Sequence, residues 1–167
     1  RVDFDAATCE ESNVLLTVEQ LARAGRAAAS YRLMRGRVMH RIKSGNWSTV
    51  GITSSGPGEG KTITTINLAM SIARDKQRTV YLLDLDMRNP SVFARTGVQP
   101  PSELSRYFDD GCAPHEVLYT TNVENLVVAG NRTSVPTASE LLASPRLDEL
   151  LKHMRRRSPG ALILIDL

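Results

Sequence analysis

The fold is decided by the stretch Ser54-Ser55-Gly56-Pro57-Gly58-Glu59-Gly60-Lys61-Thr62. It follows a short strand-like run, Val50 to Thr53, and precedes a run with helical periodicity that begins at Ile63. A strand, a glycine-rich loop and a helix in this order favour phosphate binding, because the loop amides and the positive end of the helix dipole face the same anion. We therefore predict a phosphate-binding loop (Walker A motif, or P-loop) whose nucleotide-binding residues run from Ser55 to Ile63.

The residue types in this loop suit the phosphates of ATP and a Mg²⁺ ion. Gly58 and Gly60 let the backbone curl without Cβ clashes. Lys61 is expected to reach the β- and γ-phosphates, and the Thr62 hydroxyl to ligate Mg²⁺. Ser55 stands where the usual pattern begins with Gly. The alternative is a glycine-rich turn that happens to precede a helix, and the flanking strand and helix patterns argue against it.

Two aspartates follow the next strand-like run. Residues 79–83 are apolar and rich in strand formers, and Asp84-Leu85-Asp86-Met87-Arg88 comes directly after them. Ligands gather beyond the carboxyl ends of parallel strands. We therefore take Asp84 and Asp86, together with Lys61, as candidate catalytic residues, with Asp86 also a candidate Mg²⁺ ligand. The alternative is an Asp-rich loop that caps the next helix.

A third carboxylate lies at the end of the chain. Four large apolar residues, 162–165, precede Asp166 and predict a buried central strand with a carboxylate at its tip. Phosphate-loop enzymes hold Mg²⁺ at this position, so Asp166 is a third candidate metal ligand. The alternative is an ordinary strand that ends in a turn.

The alternation of elements predicts an α/β fold. Strand patterns near Thr49, Val80, Leu126 and Leu162 are separated by helical patterns, which indicates a mainly parallel sheet with helices on both faces. We interpret polar residues 1–16 as a linker and residues 17–167 as one nucleotide-binding domain that opens with a helix over 17–43. Because the chain stops one residue after Asp166, we expect the last strands of the domain to follow residue 167.

The composition argues against nucleic-acid binding and against a membrane-spanning segment in this chain. A net charge of +3, with three Phe and one Trp, offers little for nucleic-acid binding, and we expect no nucleic-acid partner. No run of eighteen apolar residues is present. Cys9 and Cys112 lack metal-ligand spacing, so the default setting is the reducing cytoplasm.

Together the three motifs resemble those of the bacterial tyrosine kinases, which are autokinases that regulate capsule and exopolysaccharide export. Thr53–Thr62 resembles their first nucleotide motif, Leu82–Arg88 their Asp-x-Asp-x-Arg motif, and Leu162–Asp166 their third. The Ser-Glu-Leu-Leu segment at 139–142 is also similar. The resemblance implies an ATP- and Mg²⁺-dependent protein-tyrosine autokinase at the inner face of the cell membrane. It further implies a membrane-spanning polysaccharide co-polymerase as activator, fused or separate.

The resemblance also implies a homo-oligomer, and two departures accompany it. Family members carry Glu-x-x-Arg-x-x-Arg in a helix used between subunits. Arg32 and Arg35 match this pattern, whereas Ala29 stands in place of the Glu. The tyrosine-rich tail that receives the phosphate in the family does not lie in residues 1–167.

Two other functions remain open at this stage. A MinD/ParA-like switch ATPase would share all three motifs, but it would carry a signature lysine where this chain has Gly56. A non-catalytic, nucleotide-binding regulator of polysaccharide export is the other alternative, because no acceptor tail is present to test.

Overall fold

The computed structural model describes residues 1–167 and contains five strands and eight α-helices. The strands are β1 (Thr49–Ile52), β2 (Val80–Asp84), β3 (Tyr119–Thr120), β4 (Leu126–Ala129) and β5 (Leu162–Asp166). The helices are α1 (Ala6–Glu11), α2 (Val18–Arg23), α3 (Gly25–Gly45), α4 (Lys61–Ala73), α5 (Val92–Thr96), α6 (Leu104–Asp109), α7 (Ala138–Leu142) and α8 (Pro145–Arg157). A single 3₁₀ turn, Pro114–Glu116, precedes β3.

The sheet is mainly parallel, with strand order β1-β5-β2-β4-β3. Only β3, at the edge, pairs antiparallel to its neighbour β4. All five residues of β2 and all five of β5 are buried, as expected for central strands covered on both faces. Their carboxyl ends lie side by side, with Asp84 in register with Asp166. The predicted phosphate-loop α/β fold is confirmed.

Helices cover both faces of the sheet. Val80 and Leu82 of β2 join a core formed with α1, α3, α4 and α5. Tyr81 and Leu83 point to the other face and join a second core with α6, α7 and α8. This alternation follows from the two-residue period of a strand, which sends successive side chains to opposite faces.

The segment interpreted as a linker, residues 1–16, is instead part of the domain. It contains α1, and Phe4, Cys9 and Val14 are buried in the first core. The backbone N–H of Val2 donates to the carbonyl of Thr120 at 2.9 Å. The linker interpretation was wrong because isolated apolar residues among polar ones carry no periodic signal, although each of them is buried in the fold.

The helix expected over 17–43 is divided in two. Thr17 caps α2, because its hydroxyl accepts from the Gln20 amide while the Gln20 side chain accepts from the Thr17 amide. The chain turns at Gly25, whose φ of +34° breaks the helix. α3 then continues without interruption through Gly36, although glycine weakens a helix interior. Arg35 of α3 donates to the Ser71 carbonyl of α4 at 2.9 Å.

Candidate active site

The phosphate loop joins β1 to α4 and turns on two glycines. Gly58 and Gly60 have φ values of +78° and +85°, a region that side-chain-bearing residues rarely adopt. A Cβ atom at either position would meet no atom within 4 Å, so the backbone conformation, and not crowding, requires glycine there. Helix α4 begins immediately afterwards at Lys61, and its first N–H groups have no helical partners.

Hydrogen bonds between residues of the loop hold its first half in place. The Ser54 hydroxyl donates to the Gly56 carbonyl at 2.8 Å. The Ser55 amide donates to the Glu59 carboxylate at 3.0 Å, and the Ser55 hydroxyl contacts the same group. Ser55, Gly56 and Glu59 are not among the residues that line the cavity beside the second half of the loop, and their part in nucleotide binding stays a prediction.

Lys61 makes an ion pair with Asp86 and lies 3.8 Å from a carboxylate oxygen of Asp166. The Lys61 and Asp86 side chains are 18% and 20% exposed, whereas Asp166 is fully buried. The structure therefore brings together the lysine of the first motif and a carboxylate from each of the other two. Asp86 is the one of these carboxylates that borders open space.

Asp166 is held by two hydroxyl groups of α4. Thr62 donates to one of its carboxylate oxygens at 2.5 Å, and Thr65 donates to the other at 3.2 Å. Burial raises the pKa of Asp166 above its ordinary value, while the Thr62 hydrogen bond and the Lys61 charge oppose that rise. Because Thr62 donates its proton to Asp166 and accepts only the Ser91 hydroxyl, one lone pair of its oxygen remains available to a cation.

Asp84 lies beneath the cavity and does not border it. One of its carboxylate oxygens accepts the amides of Ser91 and Val92 at 2.8 and 2.9 Å, which holds the start of α5. The other oxygen is buried without a hydrogen-bond partner. Burial, with a smaller contribution from the charges of Asp166 and Asp86, raises the pKa of Asp84 to about 7, although the two amide hydrogen bonds oppose the rise.

A cavity of about 520 Å³ opens between the loop and the segment after β2. Its lining residues are Pro57, Gly58, Gly60, Lys61, Thr62, Ile63, Asp86, Asn89, Ser91 and Arg95. Sequence reasoning missed the last three. Asn89 and Ser91 could have been found by continuing past the Asp-x-Asp-x-Arg motif, and Ser91 touches Thr62 at 3.0 Å between hydroxyl oxygens. Arg95 lies one helical turn later and carried no sequence signal.

The residues around this cavity fit a magnesium nucleotide. Mg²⁺ prefers oxygen ligands, keeps several waters and needs only one or two carboxylates. The Thr62 hydroxyl and Asp86 supply such oxygens at the cavity, and Asp166 lies behind Thr62 and accepts its hydroxyl proton. The open glycine loop at the start of α4 supplies amides for phosphate. No cage of three or more His, Cys, Asp or Glu ligands is present, and a metal that is shared with phosphates does not require one.

Comparison with known proteins finds bacterial tyrosine kinases. No protein-family model matches the chain. It is 33% identical over 109 residues to the tyrosine-protein kinase CpsD of Streptococcus pneumoniae, across 64% of this chain and 47% of CpsD. The solved BceF tyrosine kinase domain superposes with a TM-score of 0.72 and 25% identity, across 99% of this chain and 76% of that domain. The chain is a relative of the bacterial tyrosine kinases.

The chain spans about half the length of the curated bacterial tyrosine kinases that it matches. A more distant structural neighbour is the septum site-determining protein MinD of Pyrococcus horikoshii, solved with Mg-ADP, with a TM-score of 0.57 and 25% identity, across 71% of this chain and 47% of MinD. The likeness to MinD places the fold among phosphate-loop nucleotide-binding proteins. None of the helices combines the length and apolar composition needed to cross a bilayer.

Proposed function

We propose that this chain carries the catalytic site of an ATP-dependent protein-tyrosine autokinase that regulates capsular or exopolysaccharide synthesis and export. The observation that carries the proposal is the meeting of Lys61, Thr62 and Asp86 on one open cavity beside the glycine loop. The similarity to CpsD and BceF, both named as tyrosine kinases, supports tyrosine as the acceptor.

Lys61 exchanges partners in this proposal. Its ammonium is paired with Asp86 in the structure. When phosphate enters the loop, Lys61 turns to the bridging oxygens and Asp86 is released. Phosphoryl transfer depends chiefly on positioning and on neutralising charge, and this exchange places a cation at the phosphates and a carboxylate beside them.

Three groups are proposed to hold the metal. Mg²⁺, when bound with ATP, neutralises charge on the β- and γ-phosphates. The Thr62 hydroxyl and the carboxylates of Asp86 and Asp166 would hold it, directly or through water. The hydrogen bond from Thr62 to Asp166 fixes the position of the Thr62 hydroxyl, and Thr62 lines the cavity.

The two aspartates of the second motif are proposed to orient the acceptor. A tyrosine hydroxyl has an ordinary pKa of about 10, so a nearby carboxylate aligns it and takes its proton during transfer. Asp86 borders the cavity and can reach a substrate. Asp84 acts from below through Ser91, whose amide it holds and whose hydroxyl contacts Thr62.

The proposal extends to partners and location. We infer a homo-oligomer formed through α3, where Arg32 is exposed while Arg35 is committed to Ser71. α3 carries six Lys and Arg residues and no acidic residue, which suits an acidic partner surface. A membrane-spanning polysaccharide co-polymerase would serve as activator and hold the kinase at the cytoplasmic face of the membrane.

The fold likeness to MinD keeps a switch ATPase as the second candidate. Gly56 argues against it, because it occupies the place of that group's signature lysine. A nucleotide-binding regulator without catalysis would bind ATP at the same loop and form no phosphotyrosine.

The test is to incubate the full-length protein, with its co-polymerase partner, in Mg²⁺-ATP and to measure phosphotyrosine by blot and intact mass. We expect phosphotyrosine in the wild type and none in Lys61→Met, because the phosphates lose their lysine. Lys152→Met is the matched control, since Lys152 lies on α8 and pairs with Asp148 at the surface. Hydrolysis of ATP without phosphotyrosine in the wild type would overturn the kinase proposal and favour the switch ATPase.

A further inference from the structure

Arg95 is a cavity-lining cation with no partner in the fold. It lies on α5 and borders the same space as Gly58, Lys61 and Thr62. Its Nε atom is buried and has no hydrogen-bond partner, and its guanidinium makes no salt bridge within 4.0 Å. Buried polar groups are nearly always hydrogen-bonded in folded proteins, so an unpartnered guanidinium nitrogen beside a cavity indicates a missing ligand.

The charges around the cavity favour an anion at Arg95. The charged lining residues are Lys61, Asp86 and Arg95. Lys61 and Asp86 form an ion pair, which leaves Arg95 as the charged lining residue without an ion-pair partner. The nearby arginine of the second motif, Arg88, is already used, because it donates to the Ser139 hydroxyl at 3.0 Å.

The two walls of the cavity define where that anion would lie. One wall is the loop and the start of α4, which bind phosphate through backbone amides. The other wall is the segment from Asp86 to Arg95. It is tied to the first by the contact between the Ser91 and Thr62 hydroxyls, and Arg95 follows Ser91 by one turn, with its amide bonded to the Ser91 carbonyl at 2.9 Å. A phosphate held by the loop therefore turns its outer oxygens toward the wall that carries Arg95.

We propose that Arg95 binds the terminal phosphate of the bound nucleoside triphosphate and so distinguishes ATP from ADP. This proposal rests on the proposed nucleotide site and adds to it a second cation, supplied by α5. The planar guanidinium presents several N–H donors in a fixed geometry and pairs well with phosphate oxygens. Lys61 alone is a single point charge that must also leave Asp86.

The test compares nucleotide affinities of full-length variants by calorimetry with Mg²⁺. The two probes are ADP and a non-hydrolysable ATP analogue. In Arg95→Gln we expect the affinity for the analogue to fall about tenfold or more, as for loss of charge-assisted hydrogen bonds, and the affinity for ADP to change less than about twofold. Arg95→Lys keeps the charge but loses the planar, several-donor guanidinium group. Its affinity for the ATP analogue should lie between those of the wild type and Arg95→Gln.

Arg78→Gln is the matched control. Arg78 also has a buried Nε without a partner, but it lies before β2 and does not border the cavity. We expect Arg78→Gln to bind ADP and the ATP analogue with the same affinities as the wild type. Equal affinities in Arg95→Gln and the wild type, or an equal loss for both nucleotides, would overturn the proposal for Arg95 alone. A wild type that binds neither nucleotide would overturn the nucleotide site itself, and Arg95 with it.

Discussion

Replacing Asp86 with Asn should separate the two tasks of the Lys61–Asp86 ion pair. In the structure the Lys61 ammonium is held by Asp86, so a phosphate that enters the loop must compete with a carboxylate for it. The amide of Asp86→Asn has a similar shape and no charge. It should therefore release Lys61 to phosphate and, at the same time, remove a ligand from the metal.

The size of the effect follows from the burial of the pair. The two side chains are 18% and 20% exposed, so an effective dielectric constant of about 20 applies, and the attraction is about 4 kcal/mol at about 4 Å. Desolvation of both charges offsets much of this attraction. A net value of about 1–2 kcal/mol corresponds to about 5- to 30-fold tighter binding of metal-free ADP.

Calorimetric titration of ADP in EDTA and then in Mg²⁺ measures both effects. Asp86→Asn should bind metal-free ADP more tightly than the wild type and should gain less affinity from Mg²⁺. Asp148→Asn, which breaks the surface pair with Lys152 at 2.6 Å, should match the wild type in both buffers. Metal-free ADP binding that is unchanged or weaker in Asp86→Asn would refute the reasoning.

Three further predictions concern the fold and the loop. Burial raises the pKa of Asp84 from 3.8 to about 7, so the wild type loses stability as pH rises between these two values. Urea unfolding should therefore show Asp84→Asn gaining about 2–3 kcal/mol on the wild type between about pH 5 and about pH 8, and a pH-independent difference would contradict this. Gly60→Ala forces an L residue to a φ of +85° and should lower the unfolding free energy by about 1–2 kcal/mol. Gly36→Ala within α3 should not lower it. Equal effects of the two substitutions on the unfolding free energy would count against the loop conformation. Phe4→Ala should cost about 3–5 kcal/mol because Phe4 is buried in the core, whereas the exposed Asp3→Ala should change stability by less than about 0.5 kcal/mol; equal urea midpoints would restore the linker interpretation.

The sequence was most informative where apolar runs and motifs coincide. Runs near Val80 and Leu162 predicted the central strands, because strands buried on both faces need continuous apolar sequence. Parallel strands end at one edge of a sheet, so the meeting of Asp84 and Asp166 could be expected before the structure was known. Their register confirms it. The strands near Thr49 and Leu126 were predicted on the same grounds.

The features that the sequence did not predict depend on the course of the backbone in three dimensions. Asp84 accepts hydrogen bonds from the Ser91 and Val92 amides. These bonds depend on how residues 85–90 turn back over the sheet. The placement of Arg95 in the cavity depends on the same turn. Residues 1–16 pack on the domain through single apolar side chains, and no periodic pattern connects them.

The central claim is that the phosphate loop and the aspartates after β2 and β5 form one magnesium-nucleotide site. A crystal structure of the protein with Mg-ADP tests it most directly. The account predicts the β-phosphate on the amides of Gly58–Thr62, Lys61 moved from Asp86 to a phosphate oxygen, and the metal beside Thr62. Nucleotide bound elsewhere, or bound at the loop with the Lys61–Asp86 pair unbroken, would contradict it.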